Sequence, residues 1–498
     1  MWKKLPLLCG AVAGSVPSLW AQEKPNFLII VTDDQTFESI GCLNNPEIKT
    51  PNIDRLVRQG TTFTHAFNQG SWTGAISVAS RTMLITGQYL YHASDNSKYL
   101  PWREPEQRKT TEEPKLWGEV FEEAGYRTYI TGKWHNSDYA LLKCFQEGDA
   151  VGAGFYESRD ENDKTNTQYG RPNDGKWVPY DNRLGGHWSP AVKDIVYEDG
   201  ERKAGKKYYM SRHTSELYAD KAVNYLETKA GKDGKPFFMY VAFNAPHDPR
   251  QSPKEYLDMY PEEQMKVPAN FLPEHPFDQG DSKIRDEELA PFPRTEEAVK
   301  LHRREYYAII THADHEIGRI LDALERSGQD KNTYIIFTSD HGLAVGMHGL
   351  MGKQNQYECS VRMPLVFVGP GIKAGVQTDA LVYMQGLFAT TCEMAGIPVP
   401  ESVDFPSLNP QLKNRKAAGE EYIFGSYRNL QRMVRSDRYK LIVYPKSKQV
   451  QLFDLKKDPD ERVNLAGRPK YSKIQQQMWE QLKKEQQKFG DKLVLKEI

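Results

Sequence analysis

Cysteine is scarce in this 498-residue chain, which contains five. Apart from Cys9 near the N-terminus, they are Cys42, Cys144, Cys359 and Cys392, and no two of them form a CxxC pair. Four cysteines spread so widely exclude a dense disulfide framework, and their spacing does not fit a structural zinc site. We therefore expect buried free thiols, with one disulfide as the alternative.

An excess of charge of either sign is also lacking. The 66 Lys and Arg residues and 67 Asp and Glu residues give a formal net charge of −1. This balance excludes a bulk electric field that would attract nucleic acid or anionic lipid. The 37 glycines and 30 prolines are too few for a collagen-like or low-complexity chain. With 39% hydrophobic residues, the composition is typical of a globular protein with a large core.

Long apolar runs are confined to the N-terminus. Two lysines precede the mostly apolar stretch 5–20, and polar residues follow Ala21. This pattern predicts a signal peptide over residues 1–21 and a mature chain that begins near Gln22; a membrane anchor is the alternative. No later stretch reaches the ~18 apolar residues of a membrane-spanning helix. The sequence therefore predicts an exported protein, periplasmic or secreted, without a membrane span.

Apolar runs alternate with amphipathic stretches through most of the chain. The stretch 309–324 has the periodicity of a helix with one buried face. The unbroken apolar run 27–31 is typical of a strand buried on both faces. Further strands are predicted at 126–131, 237–243, 334–338 and 364–368. This order predicts an α/β fold with a large, mostly parallel sheet between two layers of helices.

The pattern changes beyond about residue 400. Four short stretches within 422–454 are typical of antiparallel strands, and 470–488 is a Gln- and Lys-rich helical stretch. We therefore expect a main domain over 22–400 and a smaller C-terminal subdomain, a sheet plus a helix, over 401–498.

Ionisable residues follow four of the predicted strands. In parallel sheets the carboxyl ends of neighbouring strands form the usual site, so these side chains are expected to converge. Three carboxylates and one imidazole among them suit Ca²⁺, Mg²⁺ or Mn²⁺ better than structural zinc. The residues are Asp33 and Asp34, Lys133 and His135, His247, and Asp340 and His341.

The segment 77–87 reads Ser-Val-Ala-Ser-Arg-Thr-Met-Leu-Ile-Thr-Gly. It resembles the signature of the type I sulfatases: Cys or Ser, any residue, Pro, Ser, Arg, three variable residues, Leu, Thr and Gly. Ala79 replaces the usual Pro, and Ile85 replaces Leu. The resemblance extends over nearly the whole mature chain, through segments 26–34, 50–56, 132–135, 245–247, 338–342 with Lys353, 438–441 and 452–455.

This resemblance implies an alkaline phosphatase-like fold and a bacterial, serine-type carbohydrate exo-sulfatase. Ser77 would be oxidised to Cα-formylglycine by a maturase. One hydroxyl of the hydrated aldehyde would attack sulfur, and the second would lose its proton and expel sulfate. An unmodified serine lacks that second hydroxyl, so its sulfate ester could not collapse in this way.

The resemblance also implies roles for individual residues. Ca²⁺, with Mg²⁺ or Mn²⁺ as alternatives, would be bound by Asp33, Asp34, Ser77, Asp340 and His341. Arg81 and Lys133 would steady the hydrated aldehyde, and His135 would take its second proton. His247 and Lys353 would face the sulfate, and one of them would protonate the leaving alkoxide.

The substrate is expected to be a sulfated carbohydrate. Galactose or N-acetylgalactosamine 4-sulfate is the first expectation, and uronate 2-sulfates and N-acetylglucosamine 6-sulfate stay open. Asp248 and Arg250 follow His247 and are predicted to contact sugar hydroxyls, and the loops 152–212 and 252–294 are predicted to build one wall of an exo-type pocket. Trp72 would stack on a sugar or pack in the core.

Two other functions fit parts of this sequence. A phosphoesterase of the same superfamily would use the same metal and a similar tetrahedral anion, although Ser80 and Arg81 after Ser77 favour a maturase site. A secreted glycan-binding protein with an unconverted Ser77 is the second alternative, and the intact set of metal and sulfate residues argues against it.

Overall fold

The computed structural model describes residues 24–43, 45–97, 113–153, 178–180, 185–280, 284 and 286–496. The predicted signal peptide and part of the predicted pocket wall lie outside these ranges. Within them, no helix is long and apolar enough to cross a membrane. The four described cysteines are free thiols, as expected; three are buried, but Cys42 is exposed.

The described elements follow one another as strands and helices of very different lengths. The strands are β1 (Asn26–Thr32), β2 (Thr61–Phe67), β3 (Gly70–Ser71), β4 (Arg127–Lys133), β5 (Glu147–Gly152), β6 (Ala191–Lys193), β7 (Ile195–Glu198), β8 (Glu201–Ala204), β9 (Tyr208–Tyr209), β10 (Phe237–Ala242), β11 (Thr333–Ser339), β12 (Arg362–Val368), β13 (Val376–Thr378), β14 (Val382–Tyr383), β15 (Ile423–Tyr427), β16 (Gln431–Arg435), β17 (Tyr439–Tyr444) and β18 (Gln449–Asp454). The helices are α1 (Pro51–Gln59), α2 (Ile76–Thr86), α3 (Leu90–Ser97), α4 (Trp117–Glu123), α5 (Asp138–Cys144), α6 (Thr214–Thr228), α7 (Lys254–Asp258), α8 (Glu296–Arg326), α9 (Glu358–Val361), α10 (Leu387–Ala395), α11 (Asn409–Lys413) and α12 (Ser472–Phe489).

The large sheet has a parallel centre in the order β11, β1, β10, β4 and β5. On the β11 side, β12 and β2 continue the sheet antiparallel, and β13 and β14 pair with β2. On the other side, β6 and β9 are antiparallel additions. The sheet is therefore mixed and mostly parallel, which confirms the predicted fold class.

Helices cover both faces of this sheet. Along β1, Phe27, Ile29 and Val31 belong to one hydrophobic cluster, whereas Leu28 and Ile30 belong to the other. The first cluster includes side chains from α2, α4, α5 and α10, and the second includes side chains from α1, α6 and α8. Because β1 is buried on both faces, its sequence is an unbroken apolar run.

The second sheet has the order β18, β17, β16, β15 and β3. The four strands of residues 423–454 are antiparallel, and α12 packs against them, as predicted from the sequence. The fifth strand, β3, comes from residues 70–71 and pairs parallel with β15. The segment that leads into α2 is therefore hydrogen-bonded to the C-terminal sheet.

Candidate active site

Four adjacent strands end at the same edge of the large sheet and deliver the site residues. In the order β11, β1, β10 and β4, these strands are parallel, so their carboxyl ends lie side by side. Backbone hydrogen bonds continue past the strands: Asp340 N donates to Thr32 O (3.1 Å), and Asp33 N donates to Ala245 O (3.0 Å). The segments after the strands are thus held together where the predicted site residues lie.

Asp33, Asp34, Asp340 and His341 form a compact cluster at this edge. One ligand atom from each lies within 4.8 Å of the others, and all four side chains are buried. His341 Nδ1 lies 2.9 Å from the carbonyl oxygen of Gly342, which can only accept, so Nδ1 donates and Nε2 keeps its lone pair. Burial lowers the pKa of His341 to about 4, so the ring is neutral at pH 7, the form that binds metals.

The two neighbouring carboxylates Asp33 and Asp34 have pKa values shifted in opposite directions. Burial raises the pKa of Asp33, but nearby cations, of which Lys133 acts most strongly, hold it well below its usual value. Burial also raises the pKa of Asp34, which stays well above its usual value in spite of Lys353. A divalent cation would offset the repulsion between these carboxylates, and three carboxylates with one neutral imidazole fit Ca²⁺, Mg²⁺ or Mn²⁺.

Ser77 lies in the first turn of α2 and points into the carboxylate cluster. Its Oγ donates to Asp33 Oδ1 (3.0 Å) and lies 3.1 Å from His341 Nε2. Every residue of α2 is buried, so packing on all sides determines where this hydroxyl lies. A short strand, β3, and the segment 72–75 connect α2 to the C-terminal sheet.

Each carboxylate of the cluster is paired with its own cation. Arg81, one turn after Ser77, donates from Nε to Asp340 Oδ2 (3.1 Å) and from Nη1 to the Lys133 carbonyl (3.0 Å). Lys133 forms a buried ion pair with Asp33. Lys353 donates to both oxygens of Asp34, at 2.8 and 2.9 Å. The three predicted cations therefore converge on the predicted metal residues.

Two histidines complete the site. Burial lowers the pKa of His135 well below its usual value and that of His247 to about 3, so both rings are neutral at pH 7. His247 Nδ1 donates to the Asp248 carbonyl (2.7 Å), which leaves Nε2, 3.9 Å from Asp34 Oδ2, as the nitrogen that faces the cluster. His187, which the sequence analysis did not single out, donates from Nε2 to the His247 carbonyl (3.0 Å).

A cavity of about 260 Å³ opens onto these groups. Ser77, His135, His247 and Lys353 line it, together with Gly74, Ala75, Ile284, Asp286 and Gln354. Gln354 donates to Asp286 Oδ2 (2.9 Å) and to the Gly74 carbonyl (3.1 Å), which holds three parts of the wall together. Sequence reasoning missed Asp286 and Gln354; for Gln354 the available signal was its position directly after Lys353.

Comparison with known protein families agrees with this geometry. The family model described as Sulfatase matches residues 25–397, three quarters of the chain. This chain belongs to the sulfatase family. A second model, described as N-sulphoglucosamine sulphohydrolase, C-terminal, matches residues 346–488. The prediction of a sulfuric ester hydrolase is confirmed at the level of the family.

Several characterised proteins resemble this sulfatase along most of its length. An arylsulfatase of Clostridium perfringens is 28% identical, over 90% of this chain and 91% of the relative. An N-acetylglucosamine-6-O-sulfatase of Bacteroides thetaiotaomicron is 26% identical, over 98% of this chain and 91% of the relative. A structure solved in complex with its substrate D-glucosamine-2-N,6-O-disulfate superposes with a TM-score of 0.69 at 23% identity, over 94% of this chain and 99% of that one, and supports the fold.

Asp248 and Arg250 of this sulfatase are buried, but neither is among the residues that line the cavity. Arg250 Nη1 donates to His302 Nδ1 (2.8 Å) on α8, and its guanidinium lies 5.9 Å from the ring centre of Tyr306. Asp248 Oδ1 lies 3.5 Å from His247 Nδ1. These contacts support the wall behind His247, and the contact with sugar hydroxyls that the sequence suggested stays a prediction.

Proposed function

We propose that this sulfatase hydrolyses sulfate esters of carbohydrates through a formylglycine formed from Ser77. The observation that carries the proposal is the position of the Ser77 hydroxyl, which lies within hydrogen-bond distance of Asp33 and His341 at the floor of the cavity. A relative named N-acetylglucosamine-6-O-sulfatase and a similar structure bound to its substrate, a disulfated glucosamine, add support.

The residues around the nucleophile would bind the metal and orient the hydroxyl at position 77. Asp33, Asp34, Ser77, Asp340 and His341 would hold a divalent cation, with Ca²⁺ as the first expectation, and this cation would supply positive charge that favours an ionised hydroxyl at position 77. Arg81 and Lys133 keep the carboxylates in place through their own ion pairs. These contacts orient position 77 before substrate arrives.

Proton transfers fall to the residues that line the cavity. After the first hydroxyl of the hydrated aldehyde has formed a bond to sulfur, the bond between sulfur and the sugar oxygen breaks. Lys353 protonates that oxygen, or His247 does so once its Nε2 has taken up a proton. His135 then takes the proton of the second hydroxyl. The bond between the former aldehyde carbon of residue 77 and the sulfate oxygen then breaks, sulfate leaves, and the aldehyde is restored.

Galactose or N-acetylgalactosamine 4-sulfate remains the first substrate to test. One relative is named N-acetylglucosamine-6-O-sulfatase, and one similar structure holds a glucosamine disulfate, so N-acetylglucosamine 6-sulfate belongs in the same panel, together with uronate 2-sulfates. The cavity enclosed by the described residues, of about 260 Å³, has a size suited to a single sugar sulfate, which supports an exo mode of action.

The test combines mass spectrometry with a panel of substrates. When the chain is produced with an oxygen-independent maturase, part of the peptide that contains Ser77 is expected to be two hydrogen atoms lighter. The converted protein should release sulfate from one sugar of the panel, and Ser77→Ala should abolish release without changing the unfolding transition. Ser77→Cys, produced in a host with a cysteine-type maturase, is the matched control and should recover activity.

Other results would contradict the proposal. Full activity of Ser77→Ala would exclude Ser77 as the nucleophile. Hydrolysis of a sugar phosphate in preference to the corresponding sulfate would favour the phosphoesterase alternative. Binding of sulfated sugars by converted protein without any turnover would favour a glycan-binding protein.

A further inference from the structure

The backbone of Asp34, one of the predicted metal ligands, has a conformation that few residues with a side chain adopt. Its φ is +74°, in the left-handed region that glycine favours. Asp34 lies two residues after the end of β1, where the chain bends. A residue in this region is strained and keeps its conformation only where neighbouring contacts hold it. The contacts of the Asp34 backbone therefore determine how well its carboxylate is oriented.

A hydroxyl from a distant helix holds this backbone. Tyr306, on α8, donates from its hydroxyl to the Asp34 carbonyl oxygen (2.7 Å) and accepts a hydrogen bond from the Thr36 amide (3.0 Å). A carbonyl can only accept and an amide can only donate, so both roles of the hydroxyl are determined. One oxygen atom of Tyr306 therefore bridges the residues on either side of Gln35.

The amides of the same turn are held from the end of β11. Asp34 N donates to Asp340 Oδ1 (3.2 Å), and Gln35 N donates to Ser339 Oγ (2.9 Å). These two bonds come from the strand that also delivers part of the metal cluster. Tyr306 adds the hydrogen bond to the carbonyl, so the left-handed residue is held on both of its sides.

Packing fixes the position of the Tyr306 ring. The residue is 2% exposed and belongs to a buried hydrophobic cluster that also contains Leu343 and Met351. These two residues lie in the segment of chain between His341 and Lys353. In a closely packed interior the ring has little freedom, so its hydroxyl is in place whether or not a metal is bound.

We propose that Tyr306 is a positioning residue of the metal site: its hydroxyl holds the left-handed backbone of Asp34 and so keeps the Asp34 carboxylate where a divalent cation can bind it. The inference rests on the cation site of the proposed function. Tyr306 is neither in the metal cluster nor in the cavity lining, so it acts through Asp34 alone. Contacts that orient a metal ligand commonly change metal affinity by roughly 10- to 100-fold.

Tyr306→Phe tests the proposal because it removes the hydroxyl and keeps the ring. The affinity of the metal-free protein for Ca²⁺, measured by calorimetry, should fall about tenfold. In the converted enzyme, kcat should fall at limiting Ca²⁺ and recover towards wild type at saturating Ca²⁺. The KM for the sulfated sugar should stay unchanged, because Tyr306 does not line the cavity.

Tyr307→Phe is the matched control. Tyr307 is the next residue on α8 and is also buried, but its hydroxyl contacts Asn45 Nδ2 (3.2 Å) and Arg303 instead of the turn at Asp34. Both substitutions remove a buried hydroxyl, so both should lower the free energy of unfolding. Tyr307→Phe should nevertheless keep the Ca²⁺ affinity of the wild type, which separates the position of Asp34 from general stability.

Hydrogen exchange of the wild-type protein gives a second measurement that needs no variant. Metal binding and the turn influence each other reciprocally, so Ca²⁺ should slow exchange of the Thr36 amide. The role of Tyr306 would be overturned by wild-type Ca²⁺ affinity in Tyr306→Phe, by equal losses of affinity in the two variants, or by Thr36 exchange that does not respond to Ca²⁺. A wild-type protein that binds no divalent cation would instead overturn the metal site of the proposed function, and this inference with it.

Discussion

Each of the three carboxylates at the site faces a different cation. Asp33 pairs with Lys133, Asp34 with Lys353, and Asp340 with Arg81. Buried charges of one sign are costly unless they are paired, so these contacts allow three acids to remain side by side in a dry cluster. Arg81 has a second task, because it also donates to the Lys133 carbonyl and so ties the end of β4 to that of β11.

Replacing Arg81 by lysine tests this double contact. Lysine keeps the charge but is a single point donor, so it cannot reach Asp340 and the Lys133 carbonyl together. We expect kcat of Arg81→Lys to fall by about 10²-fold, because the end of β4, which carries Lys133, is no longer held next to Asp340. The divalent metal content, measured by mass spectrometry of the elements, should stay close to wild type. Arg326→Lys, in an exposed ion pair on α8, is the control, and an unchanged kcat in Arg81→Lys would contradict the argument.

At the scale of elements, the site depends on how closely strand ends approach one another. Gly132, at the end of β4, pairs with Ala242 of β10 and has φ +96°. A Cβ atom there would lie 1.9 Å from the Ala242 carbonyl oxygen, which no side chain can do. Glycine at this position therefore allows β4 to reach β10 closely and to present Lys133 and His135.

A pair of glycine substitutions separates this close approach from backbone strain. Gly125 has a similar φ of +88°, but nothing lies within 4 Å of a Cβ atom there. Gly125→Ala should therefore cost only the left-handed strain, about 1–2 kcal/mol in the free energy of unfolding measured with urea. Gly132→Ala should cost clearly more and should lower sulfatase activity. Equal losses for the two variants would mean that the contact with Ala242 is unimportant.

At the scale of the whole molecule, a buried charge cluster joins the two sheets. Glu358, at the start of α9, lies 3.1 Å from Arg435 on β16 and 3.2 Å from Lys440 on β17. Burial raises the pKa of Glu358, but Arg435 and Lys440 outweigh it and hold this pKa well below its ordinary value. The carboxylate therefore stabilises the folded chain as long as it is ionised.

Glu358→Gln should destabilise the protein by about 3 kcal/mol at pH 7, because the buried Arg435 loses its carboxylate partner, whereas Lys440 keeps Glu461 at 2.8 Å. In the native state Glu358 stays ionised at pH values at which the unfolded chain has bound a proton. Its stabilisation is thus complete above the ordinary Glu pKa of about 4.3 and declines as the pH falls below it. Urea unfolding of wild type and variant at several pH values should show the two stabilities converging in acid.

The exposed pair of Glu420 with Lys488 provides the control for this substitution. Glu420→Gln should change the free energy of unfolding by no more than about 1 kcal/mol at any of these pH values. A pH-independent difference between wild type and Glu358→Gln would show that packing, rather than charge, joins the two sheets.

The alternation of apolar runs and helices determined the fold class, because strands of a central parallel sheet must be apolar on both faces. This alternation could not show that α2, which carries Ser77, is buried on every side. Besides Ser77, α2 contains one more serine and two threonines, so its sequence does not look like that of a fully buried helix. Nor did the apolar runs single out β2, whose alternation of Thr and Phe with His65 is weak.

The sequence by itself determined the family and predicted the chemistry-bearing residues, because they lie in motifs such as 77–87 and 338–342 that resemble those of the sulfatases. Only the tertiary structure decided where each of these residues points. It directed Arg250 towards α8, brought Asp286 and Gln354 into the cavity wall, and placed Trp72 beside a hairpin that begins some 350 residues later. Such contacts join distant parts of the chain, and their geometry follows from packing of the two sheets rather than from any local pattern.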